Sequence, residues 1–167
     1  MDVPDVKSRP NVPTSMLNEK EHRRQLAEQA NAAIPVLRDF TPVLKFGGAT
    51  TGITYSAQLG RTVTYAGVVH EAWIDIDLTS KGSATGSATV TGLLETNNSG
   101  VVACSADISM TNASVSKTAM KAEINSGSAV INLYHAHGAS TGAATIIDNT
   151  DFTNTTTLHI HISYRVV

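Results

Sequence analysis

The chain has 167 residues, 41% hydrophobic and 16% charged, and a formal net charge of −2. That length allows one domain plus an appendage. Residues 1–39 hold six Lys/Arg against six Asp/Glu and residues 40–167 six against eight, so neither part is a basic nucleic-acid footprint and nucleic acid is not an expected partner. A lone cysteine, Cys104, excludes an intrachain disulfide, and no apolar run is long enough for membrane insertion.

Composition changes near Phe40. Residues 1–39 carry twelve of the 26 charged side chains and no aromatic, whereas the remainder is dominated by Thr, Ser, Gly, Ala and β-branched residues. Residues 1–17 contain Pro4, Pro10 and Pro13 among Asp, Lys, Arg and Asn. Proline fixes φ and removes a donor, so this stretch is expected to be an extended arm that orders only on a partner: an anchoring segment. Its start lacks the basic and apolar regions of a secretory signal, which predicts synthesis in a cytoplasm.

Residues 18–39 read as a short helix and linker. Asn18 followed by Glu21 is a capping-box pattern, Glu19 and Arg23 form an i,i+4 pair, and Pro35 ends a helix predicted over 18–34. Its apolar stripe is thin: Leu26, Ala30, Ala33 and, past the proline, Leu37. Such a seam suits contact with copies of itself or with a host groove, and these residues are the expected trimerisation contacts.

From residue 40 to 167 the apolar period becomes two, the mark of half-buried strands. In 70–78, Ala72, Ile74, Ile76 and Leu78 alternate with Glu71, Trp73, Asp75 and Asp77. In 86–93, Ala88 and Val90 face inward; in 157–167, Leu158, Ile160, Ile162, Tyr164 and Val166 share one face. Further strands are predicted at 43–46, 52–57, 61–66, 101–110, 119–124, 129–135 and 143–147, separated by Gly- and Asn-rich punctuation. The expected fold is mainly β, an antiparallel β-sandwich of jelly-roll-like type behind an extended arm and one short helix.

Pro42-Val43-Leu44-Lys45-Phe46-Gly47-Gly48-Ala49, Gly52-Ile53-Thr54-Tyr55-Ser56, Gly60-Arg61, Tyr65-x-Gly67 and the run Leu78–Leu93 follow one another in order. This string resembles a β-domain of tailed-bacteriophage structural proteins, found in tail fibres and related virion appendages. Leu17–Arg24 is similar to the short helix that precedes it there. The likeness covers residues 17–93 and returns only at the last strand. It departs where Leu94-Glu95 follows Gly92-Leu93, a place where the family continues with proline. The resemblance implies a homotrimeric, non-enzymatic virion component, a tail fibre or head fibre held to other phage proteins by its N-terminus. The chain is short for a long fibre, which leaves a capsid decoration or cement protein as the alternative. A free carbohydrate-binding module is the alternative of another class.

Three groups of side chains invite chemistry. His135/His137 and His159/His161 are His-x-His pairs, and in a strand i and i+2 point the same way, so each could chelate a transition metal. The plainer account is a polar residue tolerated on a Thr-rich face, and no other cofactor is expected. Trp73, with Glu71 and Asp75 on the same face, is a large ring among carboxylates. It suits burial against a neighbouring subunit, or a platform for a host-surface glycan. With only 5% aromatic residues, a glycosidase pair drawn from Glu71, Asp75 and Asp77 is not expected. Cys104 reads as a small buried hydrophobe, and Gly82–Gly86 lacks the Lys of a phosphate loop.

Overall fold

The computed structural model describes residues 19–26, 34–65, 68–98, 100, 102–104, 107–114, 119–136 and 144–166. The chain divides into two units, Met1–Ile34 and Pro35–Val167. In the first, residues 19–26 are helical, and the Glu21 carboxylate accepts hydrogen bonds from Arg24 (2.7 Å) and Gln25 (3.4 Å). These are the i,i+3 and i,i+4 contacts that stabilise a short polar helix. Leu26 is 51% exposed. Pro4, Pro10, Pro13, Asn18, Ala30 and Ala33 lie outside the described residues.

The second unit contains β1 (Val36–Phe40), β2 (Val43–Phe46), β3 (Ile53–Tyr65), β4 (Val69–Lys81), β5 (Ala88–Thr91) and β6 (Ala103–Cys104). After these come β7 (Asp107–Thr111), β8 (Met120–Ile124), β9 (Ile131–Ala136), β10 (Ala144–Ile146) and β11 (Thr157–Arg165). They form two antiparallel sheets, as expected of a β-sandwich. The first has the order β1-β3-β4-β11-β7; the second has β2-β5-β9-β8-β6, with β10 also paired to β9.

The alternation read from the sequence is the reason the sheets pack. On the first sheet Ala72, Ile74, Ile76 and Leu78 of β4 and Leu158, Ile160, Ile162 and Tyr164 of β11 are buried. On the second, Leu44, Phe46, Ala88, Val90, Ala122, Ile124, Ile131 and Leu133 are buried to 0% exposure. Each buried Ile, Leu or Phe contributes about 1.5–3 kcal/mol relative to exposure. Phe46 meets Phe152 edge to face, ring centroids 5.0 Å apart. Phe152 is delivered by a single 3-10 turn, Asn149–Asp151, closed by a reciprocal capping box between Asp148 and Asp151.

Four expectations need correction. The sandwich begins at Pro35 rather than residue 40, because β1 pairs along β3 from Val36↔Thr64 to Phe40↔Gly60. Leu37 therefore sits in β1 opposite Val63 and cannot continue a helical seam. The strands expected at 52–57 and 61–66 are one strand, β3, since Gly60 lies inside the ladder instead of breaking it. The strand expected at 101–110 is two: β6 pairs with β8 in the second sheet, β7 with β11 in the first. Alternation alone cannot show a strand changing sheet, because both halves keep the same period.

Candidate functional site

The outward face of the first sheet gathers most of the sequence's chemistry. Strand register places Asp39, Arg61, Trp73, His161 and Asp107 in one cross-strand row. The row beside it holds Leu59, Asp75, His159 and Ser109; on the other side lie Leu37, Val63, Glu71 and Ser163. Neighbouring side chains in such rows are close enough to touch, so register decides which residues interact.

Trp73 and His161 stack, ring centroids 4.8 Å apart and planes 7° from parallel. That separation is the spacing of adjacent strands, so both rings stand upright and face each other across the β4–β11 pair. His161 is further flanked by Glu71 (Nε2 to Oε2, 4.0 Å) and Asp107 (Nδ1 to Oδ2, 3.9 Å). Its Nε2 is shielded from solvent and has no hydrogen-bond partner among the described residues. His159 Nδ1 lies 2.5 Å from Asp75 Oδ1, with both side chains about half exposed (51% and 53%). Tyr65 donates to Glu71 (3.4 Å), and the loss of water followed by that carboxylate pushes its phenol up.

On the other side of Trp73 the neighbour is Arg61, and it leans toward β1, where Nε meets Asp39 Oδ1 at 3.1 Å. No cation–π contact joins Arg61 to Trp73 among the described residues. Trp73 is 37% exposed. It borders a groove of about 800 Å³ lined by Asp39, Phe40, Leu59, Arg61, Val63 and Asp75, together with Thr41, Gln58 and Gly60. A smaller depression of about 170 Å³ lies across β4, β11 and β7 and shares Trp73 and Asp75 with it.

Of the residues expected to bind glycan, Trp73 and Asp75 share the large groove, while Glu71 turns to Tyr65 and His161. The two His-x-His pairs are not brought together. His159 and His161 are on β11 in the first sheet; His135 is on β9 in the second, in phase with buried Ile131 and Leu133; His137 lies outside the described residues. Among the described residues no three His, Cys, Asp or Glu side chains are grouped to hold a metal ion. Cys104 pairs in register with Glu123.

Sequence reading put Tyr164 on the apolar face of the last strand but missed His70 beside it; both are buried on the inward face at one end of the first sheet (3% exposed for His70, 2% for Tyr164). Their rings are 5.5 Å apart, and His70 Nε2 meets Thr64 Oγ1 at 3.2 Å. Among the described residues, His70 Nδ1 and the Tyr164 hydroxyl have no hydrogen-bond partner. Burial pushes the His70 imidazole down, opposed by Glu95 and reinforced by Arg38; burial and then Glu95 push Tyr164 up to about 12. Phase was the available signal for His70, which is in step with Ala72 and Ile74.

No helix among the described residues is long and apolar enough to cross a membrane. Compared with protein-family models, curated proteins and solved structures, the chain finds no match in any of the three.

Proposed function

We propose that this chain is a non-enzymatic virion appendage protein of a tailed bacteriophage. In this reading it is a homotrimer held on the particle by residues 1–34, and the outward face of the first sheet is its host-attachment surface. The observation that carries the reading is the division of the chain at Ile34/Pro35. A proline- and charge-rich N-terminal unit precedes a sandwich with its own core, which is the organisation of an anchor with a display module. The resemblance of residues 17–93 to phage appendage proteins supplies the setting. The exposed Trp73, with carboxylates beside it on a rigid sheet, supports attachment over a purely structural role.

The test is incorporation. Tagged full-length chain expressed during phage assembly should band with purified particles, and residues 1–34 fused to an unrelated trimer should band with them too. A chain that remains wholly in the soluble fraction overturns the reading. Decoration of particles at native stoichiometry by residues 35–167 alone would overturn the anchor assignment and place docking on the sandwich.

A further inference from the structure

The groove beside Trp73 has the chemistry of a particular ligand class, and we infer that it binds a neutral hexopyranose unit of a surface glycan. The inference rests on the reading of this sheet face as an attachment surface and adds the ligand and its seat.

One wall is an aromatic face, the side of the Trp73 indole not covered by His161. A flat ring face accepts the row of C–H bonds that a pyranose presents on its less polar side. The aliphatic side chains of Leu59 and Val63 extend this apolar surface along β3. Around it stand groups that pair with hydroxyls in the plane of a sugar ring: the Asp75 carboxylate, the Asp39 carboxylate and the Arg61 guanidinium. A volume of about 800 Å³ lies within the range of small-molecule sites.

Charge sets the choice among ligands. Asp39 pairs with Arg61 at 3.1 Å, and Asp75 Oδ1 lies 2.5 Å from His159 Nδ1. Arg61 is the one cation of the groove lining and is held by Asp39, so the lining offers no free cation to a phosphate or carboxylate. Each pair still keeps acceptor or donor capacity, because a carboxylate offers about four lone-pair sites and a guanidinium five N–H groups. An aromatic face with hydrogen-bonding groups at its rim matches an uncharged polyol ring. Asp39 on β1 engages the Arg61 guanidinium at 3.1 Å, on the side of Arg61 away from β4. His161 holds the ring upright from behind.

Trp73 is the chain's single tryptophan, so its fluorescence and indole N–H resonance report this site directly. Full-length protein is titrated with the methyl glycosides of glucose, galactose and N-acetylglucosamine and with their disaccharides. Saturable shifts of the Trp73 signals by at least one probe are expected. Asp75→Asn should weaken that binding about tenfold, the cost of losing one charged hydrogen bond. Leu59→Arg, at a position 64% exposed and remote from the core, should abolish binding while leaving the fold intact. No Trp73 response to any of these probes overturns the inference. So does a signal that changes with protein concentration and not with sugar, since a second copy then covers the face. Particle incorporation is scored on the same preparations. Incorporation without sugar binding sinks the ligand assignment alone, and sugar binding without incorporation sinks the virion reading alone.

Discussion

Gly60 lies opposite Phe40 in the β1–β3 pair, and the Phe40 ring fills the space that a side chain at position 60 would need. A Cβ built there would come within 2.6 Å of the ring, closer than carbon atoms approach. The ring covers the gap in the ladder and ties the edge strand β1 to the sheet. Gly60→Ala must displace it, and overpacking of this kind costs about 1–3 kcal/mol. Chemical denaturation should show a lowered midpoint with an unchanged slope. In Phe40→Ala the same glycine substitution should cost much less, because the clash partner is gone. Additive costs in the double variant would show that the ring does not set the requirement.

His70 predicts a pH dependence. Its pKa is lowered in the folded protein, so the unfolded chain takes up the proton near the ordinary value of 6.5 and the folded chain only at lower pH. The unfolded state binds more protons through that window. Stability is therefore full above pH 6.5 and falls as pH drops toward the folded value, with a slope of at most about 1.4 kcal/mol per pH unit for one group. The groups facing His70 are Thr64 and Tyr164, with Arg38 and Glu95 acting through charge. Urea midpoints measured between pH 7 and 5 should lose this component in His70→Gln. An equal slope in wild type and variant would assign the acid sensitivity to other groups.

The sandwich was legible in the sequence because burial on one face imposes a period of two, and β4, β5, β9 and β11 keep that period cleanly. Three features were not fully legible. Gly60 reads as punctuation from the sequence alone; only the register with β1 shows an aromatic ring taking its place. The groove was half legible: Trp73 and Asp75 share one strand's polar phase, but Asp39, Leu59 and Arg61 arrive from other strands through pairings that no local pattern encodes. His70 was overlooked because a histidine at the head of an alternating run resembles the end of the strand, although its phase already placed it inside.

His159 and His161 have different neighbours, and their substitutions should behave differently. His159 faces Asp75 with both side chains about half exposed, and such pairs contribute about 0–1 kcal/mol. His159→Ala should barely move the melting temperature. His161→Ala removes the ring stacked on Trp73 and exposes a second indole face to water, so tryptophan emission should shift to longer wavelength. A large difference in melting temperature between wild type and the double variant, abolished by chelator and restored by added zinc or nickel, would instead assign the pair to a transition metal.

The last prediction concerns assembly. The helical residues 19–26 carry Glu19, Lys20, Glu21, Arg23 and Arg24, and their apolar contribution to the expected seam is Leu26, half exposed. A helix with so little apolar surface is marginal in water by itself, because nucleation is costly and little burial is available to offset it. In the proposed trimer, packing against copies of itself would supply that surface in a closed cyclic arrangement. The full chain at micromolar concentration should therefore sediment as a trimer of the 17.6 kDa chain. Leu26→Glu places three carboxylates at the seam and should shift the distribution to monomer, while circular dichroism retains the β signal of the independently packed sandwich. Residues 35–167 alone should behave as that variant does. A clean monomer of the full chain removes the trimer from the proposal, and a trimer that survives in residues 35–167 moves its contacts from the helix to the sheets.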